Sequence, residues 1–82
     1  MVVRKTWSDA LINFTKQSLD NGDFVPNPEL DGVVFKNVDG RFGYIKTGDA
    51  ILAKYRMRII GEETLIDYPD VDSIVASGWA ID

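Results

Sequence analysis

The longest regular pattern in the chain is an alternation of side-chain types over residues 49–64. One side of the alternation is formed by Ile51, Ala53, Tyr55, Met57 and Ile59. The other side is formed by Leu52, Lys54, Arg56, Arg58 and Ile60. A period of two residues is typical of a β-strand, in which successive side chains point to opposite faces. The pattern predicts one long central strand over residues 49–64, with the first set of side chains in the core.

A second pattern predicts an amphipathic helix near the N-terminus. Positions at helical spacing are occupied by Trp7, Ala10, Leu11, Phe14 and Ser18, the arrangement of a core-facing stripe. Thr6 is the predicted N-cap of this helix, and Gly22 is the predicted left-handed residue that ends it. We expect Trp7 and Phe14 to be buried against the sheet.

Turn-forming residues divide the remaining chain into short strands. Asp39-Gly40 lies between two β-rich runs, 33–36 and 41–46, and therefore predicts a hairpin. A second hairpin is predicted to turn at Gly61 and to return through residues 64–68. Gly43 inside a strand indicates a bulge or a close approach of another segment. Asp70 is the predicted N-cap of a short helix that ends at Gly78, and we expect the Trp79 that follows to pack on the sheet.

These elements predict a single α+β domain over residues 1–82: an N-terminal helix packed on an antiparallel β-meander of four to five strands, with a short C-terminal helix. A chain of 82 residues is shorter than those that usually divide into domains. Its hydrophobic fraction of 45% is typical of a folded globule. The N-terminal segment lacks the apolar run of a signal peptide, and no stretch approaches the length of a membrane span. We therefore expect a cytoplasmic protein.

The composition disfavours enzymatic chemistry. The sequence contains neither histidine nor cysteine, so the commonest general base, the commonest metal ligand and the thiol nucleophile are all missing. Pairs of carboxylates remain, but turns and helix starts explain their positions. We predict a protein that is not an enzyme and that has no cofactor and no metal site.

The charge distribution gives the candidate binding site. The net charge is −4 and the isoelectric point is near 4.6, which disfavours direct binding to nucleic acids or anionic membranes. The alternating strand nevertheless carries a basic stripe, Lys54, Arg56 and Arg58, to which the neighbouring strand adds Tyr44 and Arg41 or Lys46. We predict that these residues bind an anionic ligand. A solvated sheet face or a subunit interface explains the same pattern.

Both ends of the sequence resemble the phage Thoeris anti-defence type 2 family. The resemblance rests on the closing segment 73–81, in which an apolar turn ending in Ala76 leads to Trp79 and Ile81, and on the opening segment around Trp7, Ala10 and Leu11. It implies a small oligomeric phage protein in the host cytoplasm that sequesters a cyclic ADP-ribose-type immune signal without cleaving it. The matching positions are structural, so no ligand residue is carried over.

The leading hypothesis is therefore a non-enzymatic binding protein of phage or mobile-element type that sequesters a small anionic, nucleotide-like ligand. Two alternatives stay open. One is a protein inhibitor or nucleic-acid mimic that blocks a host protein through the acidic loops. The other is a structural or assembly subunit that self-associates through the sheet face.

Overall fold

The computed structural model describes residues 6–82 and has the predicted α+β fold. An N-terminal helix, a five-stranded antiparallel sheet and a short C-terminal helix are present. The elements in chain order are α1 (Asp9–Asn21), β1 (Gly32–Asn37), β2 (Phe42–Lys46), α2 (Thr47–Ile51), β3 (Tyr55–Ile59), β4 (Leu65–Tyr68), α3 (Val71–Ala76) and β5 (Trp79–Ile81). No helix within the described residues is long and apolar enough to cross a membrane.

The sheet combines a meander with one return connection. Its strand order is β4-β3-β2-β1-β5, so β1 to β4 follow one another in space as they do in sequence. Both predicted hairpins, β1–β2 and β3–β4, are confirmed. After β4 the chain runs through α3 and adds β5 beside β1, at the opposite edge of the sheet.

One face of the sheet forms the core together with the helices. Apolar side chains from all five strands line this face, and all three helices of the described chain contribute buried or partly buried residues to the same cluster. The sheet contributes Val33, Phe35, Ile45, Tyr55, Met57, Ile59, Ile66, Tyr68, Trp79 and Ile81. The predicted burial of Trp79 is confirmed, since its side chain is inaccessible to solvent and its Nε1 donates to the Tyr68 hydroxyl at 2.9 Å.

The opposite face of the sheet is exposed over β2, β3 and β4. At its β5 end it is covered, since Ala80, the partner of Lys36 on this face, is inaccessible to solvent. Because side chains alternate along each strand, the register assigns to this face Val34, Lys36, Phe42, Tyr44, Lys46, Arg56, Arg58, Ile60, Leu65 and Asp67. We call this surface the open face. It contains cationic, aromatic and aliphatic side chains side by side.

The predicted long strand over residues 49–64 is wrong in its first half. Residues 47–51 form the short helix α2, and the strand β3 begins only at Tyr55. Consequently Met57 and Ile59 are buried as expected, but Ile51 is 68% exposed and Ala53 is also exposed. The turn after α2 has the hydrogen bonds of a Schellman motif, from Lys54 N–H to Asp49 C=O (2.8 Å) and from Ala53 N–H to Ala50 C=O (3.2 Å). Ala53 occupies its left-handed position with φ of 56°.

Helix α1 begins later and faces the core differently than predicted. Ser8, not Thr6, is the N-cap, and its side chain accepts from the Leu11 N–H at 3.2 Å. The buried residues are Thr15, Ser18 and Leu19, whereas Phe14 is 55% exposed. Ser18 of the predicted stripe is confirmed as buried, whereas Ala10 and Phe14 are exposed and Trp7 precedes the helix. The contact face is therefore rotated toward Thr15 and Leu19. The predicted end is confirmed, because Gly22 has a φ of 67°.

The prediction of a close approach at Gly43 is confirmed. A Cβ added there would lie 2.9 Å from the Met57 sulfur and 3.0 Å from the Arg58 carbonyl oxygen. These distances are too short for a side chain. Glycine therefore lets β2 lie close beneath the core side chain of β3 and beside the backbone of Arg58.

Candidate functional site

Tyr44 and Arg58 occupy the centre of the open face. They are direct partners in the antiparallel pairing of β2 with β3. The Ile60 N–H donates to the Phe42 carbonyl at 2.9 Å. Hydrogen-bonded and non-hydrogen-bonded pairs alternate along an antiparallel ladder, so Tyr44 and Arg58, two positions further along, are also a hydrogen-bonded backbone pair. The register extends the row to Val34 on one side and Leu65 on the other. One row of four side chains therefore crosses four strands and has the guanidinium between an aromatic ring and an aliphatic side chain.

Large apolar side chains within this row and beside it are exposed to solvent. Phe42 is 48% exposed, Ile60 is 45% exposed and Leu65 is 50% exposed. Scattered apolar residues are normal on a surface, but a contiguous group on one face marks an interaction surface. Tyrosine, phenylalanine and arginine are also the side chains enriched at protein interfaces.

Arg58 is the least satisfied charge on the open face. It is half-buried, and among the described residues it forms no ion pair within 4.0 Å. Its Nε atom is buried and has no hydrogen-bond partner in the part of the chain that the structure describes. Removing a guanidinium N–H from water without a partner is unfavourable. The side chain is therefore positioned to gain from an anionic group brought by another molecule.

Of the other cations of the open face, Arg56 and Lys36 form long ion pairs, and Lys36 also lies over the Trp7 ring, 5.1 Å from its centroid. Arg56 lies 3.9 Å from Asp67, a long contact between two exposed side chains, and Lys36 lies 3.8 Å from Asp82. Exposed pairs of this length contribute little. Lys46 forms no ion pair with the described residues. The face therefore presents positive charge although the whole chain is acidic.

A shallow recess of about 310 Å³ lies beside this central pair. It is lined by Tyr44, Arg58, Ile59, Glu62, Glu63, Thr64 and Leu65. Its volume is at the lower limit for a small-molecule site. The two glutamates in its lining oppose a ligand with dense negative charge.

The structure brings together three of the five predicted ligand-binding residues. Tyr44, Arg56 and Arg58 share the open face. Lys54 precedes β3, in the turn after α2, and is exposed there.

Arg41 lies outside the open face. It comes directly before β2 and contacts Asp39 and Trp79. Its Nε donates to Asp39 at 2.7 Å, and its guanidinium lies 5.4 Å from the centroid of the Trp79 ring. Hydrogen bonds from the Arg41 backbone N–H and side chain lower the pKa of the Asp39 carboxyl. Arg41 therefore helps to hold the β1–β2 hairpin and to cover the core tryptophan.

The sequence pattern puts Ile60 on the same side as Arg58 but does not identify the rest of the apolar part of the site. Phe42 and Leu65 were assigned to strands but not to a functional surface. The signal that identifies them is the alternation within each short strand: Phe42, Tyr44 and Lys46 are on one side of β2. That signal becomes informative only when the register with β3 is known.

Comparison with protein-family models, with curated proteins and with solved structures found no match to this chain. The resemblance of the two ends to the phage Thoeris anti-defence type 2 family therefore stays a prediction. The case for function rests on the open face.

Proposed function

We propose that this chain is a non-enzymatic binding protein that uses its open face to hold an acidic surface of a partner protein. The observation that carries the proposal is Arg58, a half-buried cation that lies at the centre of an exposed apolar patch and forms no ion pair with any residue in 6–82. In this proposal a carboxylate of the partner pairs with the guanidinium, a geometry for which arginine is well suited. Phe42, Ile60 and Leu65 supply apolar contacts around it.

The shape and charge of the face favour a protein over a small molecule. The predicted cations do not line one enclosed cavity, since Lys54 and Arg41 lie away from Tyr44 and Arg58. Lys46, Arg56 and Arg58 are instead spread over a flat surface together with half-exposed apolar groups. A protein partner contacts such a surface over its whole area, whereas a small ligand needs a concave site.

The recess beside Tyr44 and Arg58 supports a second candidate, a small anionic, nucleotide-like ligand. Its aromatic wall and its guanidinium suit a planar ring that carries one negative charge. Glu62 and Glu63 make it a poor site for several phosphates. The protein partner is therefore the first proposal, and the small ligand is tested beside it.

The test compares two variants that remove the same charge at different places. Arg58→Ala removes the central cation of the open face, and Lys54→Ala removes a cation from the turn outside it. A partner is captured from host extract, identified, and then titrated against the purified wild-type and variant proteins. We expect Arg58→Ala to weaken binding at least about tenfold, the scale of a lost charge-assisted pair, and Lys54→Ala to leave it unchanged.

Salt and nucleotides give two further readouts. Binding of an acidic partner should weaken as ionic strength rises, because salt screens exposed charges. Calorimetry with nucleotides and cyclic nucleotides is expected to give no heat. A partner that binds Arg58→Ala as tightly as the wild type contradicts the proposal, and nucleotide binding that Arg58→Ala abolishes would replace it with the small-ligand candidate.

A further inference from the structure

The edge strand β4 presents unpaired backbone groups. The Ile59 N–H donates to the Thr64 carbonyl at 3.1 Å, and the register pairs Arg58 with Leu65 and Arg56 with Asp67. In an antiparallel ladder, hydrogen-bonded and non-hydrogen-bonded pairs alternate. Leu65 and Asp67 are therefore in the non-hydrogen-bonded pairs, so that their N–H and C=O groups point away from β3.

At the opposite edge of the sheet, a side chain engages an outward backbone group of β5. The outward N–H of Ile81 donates to the Thr15 hydroxyl at 3.1 Å. Proteins usually protect an exposed edge, because it is a template for another strand. Within the described residues, β4 receives no side-chain hydrogen bond of this kind.

The side chains of β4 are also incompletely covered on both faces of the sheet. Leu65 is half-exposed on the open face, and Ile66 and Tyr68 are only partly buried on the core face. β4 has part of the usual protection of an edge strand, since it is four residues long, contains Asp67 and is followed by Pro69. Leu65 and Ile66 nevertheless keep apolar surface exposed, and a further strand paired with β4 would cover part of it.

We propose that β4 pairs in antiparallel fashion with β4 of a second copy of this chain, forming a continuous ten-stranded sheet. When a two-fold axis relates the two copies, the outward-facing residues Leu65 and Asp67 can pair in three registers: Leu65 with Leu65, Asp67 with Asp67, or Leu65 with Asp67. Pairing Leu65 with its counterpart sets Glu63 opposite Asp67, and pairing Asp67 with its counterpart opposes two carboxylates directly. Only the register that pairs Leu65 with Asp67 sets an apolar side chain, and no carboxylate, directly opposite Asp67. It leaves the two Asp67 side chains as diagonal neighbours and brings the two Ile66 residues together on the axis.

This register has a geometric consequence that does not depend on the proposed function. The two Ile66 residues form a non-hydrogen-bonded pair, with Cα atoms about 4.5 Å apart, within the range of a disulfide. The two Leu65 residues are diagonal neighbours on the open face and are farther apart. The dimer also joins the two open faces side by side into one wider surface.

Single thiols test the register, since the chain has no cysteine of its own. Under mild oxidation at high protein concentration, Ile66→Cys should crosslink into a dimer at least about tenfold faster than Leu65→Cys. Faster crosslinking through Leu65→Cys overturns the register, and equal, slow crosslinking of both variants overturns the pairing.

Backbone variants test the pairing itself by light scattering between about 10 µM and 1 mM, a range suited to weak association. The wild-type mass should rise from 9.2 kDa toward twice that value. Asp67→Pro removes an outward N–H that β3 does not use and should keep the protein monomeric. Asp67→Ala removes the same carboxylate but keeps the N–H, and it should still associate.

Amide hydrogen exchange in the wild-type protein tests the pairing even when Asp67→Pro does not fold. In the wild-type protein the N–H groups of Leu65 and Asp67 should exchange more slowly as concentration rises. A wild-type mass that stays at 9.2 kDa, with concentration-independent exchange at both amides, overturns the proposal.

Discussion

Arg58 has a destabilising position in the isolated protein, because its Nε is buried without a hydrogen bond. The aliphatic stem lies in a row with Tyr44 and Leu65, where an apolar side chain would pack without this unsatisfied atom. Under the proposed function, the stability lost at Arg58 is an instance of the trade-off between function and stability.

Replacing Arg58 with leucine is therefore expected to stabilise the free protein. The leucine keeps apolar contact with the neighbouring strands and removes the unsatisfied donor, so the free energy of unfolding should rise by about 1 kcal/mol. Urea unfolding followed by circular dichroism measures the change. Arg56→Leu, at an exposed position of the same strand, is the control and should change stability by less than about 0.5 kcal/mol. A clearly destabilised Arg58→Leu would show that the guanidinium is satisfied in solution.

Ala53 has a backbone conformation that favours glycine. Its φ of 56° places the Cβ in a crowded position, which costs an L-residue about 1–2 kcal/mol. Ala53→Gly removes that strain but increases the conformational entropy of the unfolded chain. The net expectation is a gain of about 0.5–1 kcal/mol in the free energy of unfolding, measured by thermal and urea unfolding.

Gly22 provides the reciprocal control. It occupies the same position in the Schellman motif of α1, with a φ of 67°, and an added Cβ would contact nothing within 4 Å. Gly22→Ala should therefore lose about 1 kcal/mol through backbone strain alone. If both variants move stability in the same direction, the left-handed conformation at Ala53 is not maintained in solution.

At the level of elements, the helices with readable ends were the ones that sequence predicted. Gly22 ends α1, and Asp70 caps α3 through a hydrogen bond from the Ser73 N–H at 2.7 Å. Helix α2 has neither signal. Its N-cap, Lys46, makes no capping hydrogen bond from its side chain, and alanine stands where its C-terminal motif favours glycine. Because no such signal marks α2, the alternation of side-chain types over residues 49–54 continues into β3 and predicts one continuous strand.

The candidate site is predictable from sequence only where its residues lie within a single strand. Arg56 and Arg58 lie within β3, where a period of two residues correctly gives their common face. Lys54 lies before β3, so the period does not apply to it. Tyr44 and Arg41 are on the same chain segment, but only the register with β3 shows that Tyr44 opposes Arg58. Register depends on contacts between strands and is not encoded in any single strand.

Helix α1 is attached to the sheet by a polar contact that its hydrophobic pattern did not reveal. The fully buried Thr15 hydroxyl donates to the Leu11 carbonyl at 2.9 Å and accepts from the Ile81 N–H at 3.1 Å. It thereby satisfies one outward N–H of the edge strand β5. Phe14, the residue before it, points toward solvent.

Thr15→Val should consequently destabilise the protein although it conserves shape. The change leaves the Ile81 N–H without its partner, and we expect a loss of about 1–3 kcal/mol in the free energy of unfolding. Thr15→Ser keeps the hydroxyl and should lose less. Phe14→Ala is the control for the predicted core stripe and should cost less than about 0.5 kcal/mol. A larger loss from Phe14→Ala than from Thr15→Val in urea unfolding would contradict the observed helix face.

At the scale of the whole molecule, the last strand joins distant parts of the chain. β5 pairs with β1, and the Trp79 Nε1 bonds the hydroxyl of Tyr68 at the end of β4. One buried tryptophan thus links two strands at opposite edges of the sheet. A sequence predicts that such a residue is buried, but its partners depend on how the complete sheet twists.

Two carboxylates make the stability of the whole fold sensitive to acid. Hydrogen bonds from Arg41 lower the pKa of Asp39, and hydrogen bonds from Ser73 lower the pKa of Asp70. Each group has a folded pKa below its ordinary value near 3.8, so the unfolded chain binds more protons in that range. Their contribution is present above the ordinary value and is lost as the pH falls through the lower folded value. We expect the free energy of unfolding to decrease steadily below about pH 5.

Asparagine variants identify which carboxylates cause this acid sensitivity. Asp70→Asn keeps an oxygen that accepts the capping hydrogen bond but cannot titrate, so its stability should fall less steeply with decreasing pH. Asp39→Asn should act in the same direction, and the double variant should show the shallowest dependence, since the two groups lie in separate turns. Asp23→Asn changes the net charge equally without removing either of these carboxylates. If the single variants and Asp23→Asn all retain the wild-type slope in urea unfolding between pH 2 and pH 6, the native hydrogen bonds of Asp39 and Asp70 do not control acid unfolding.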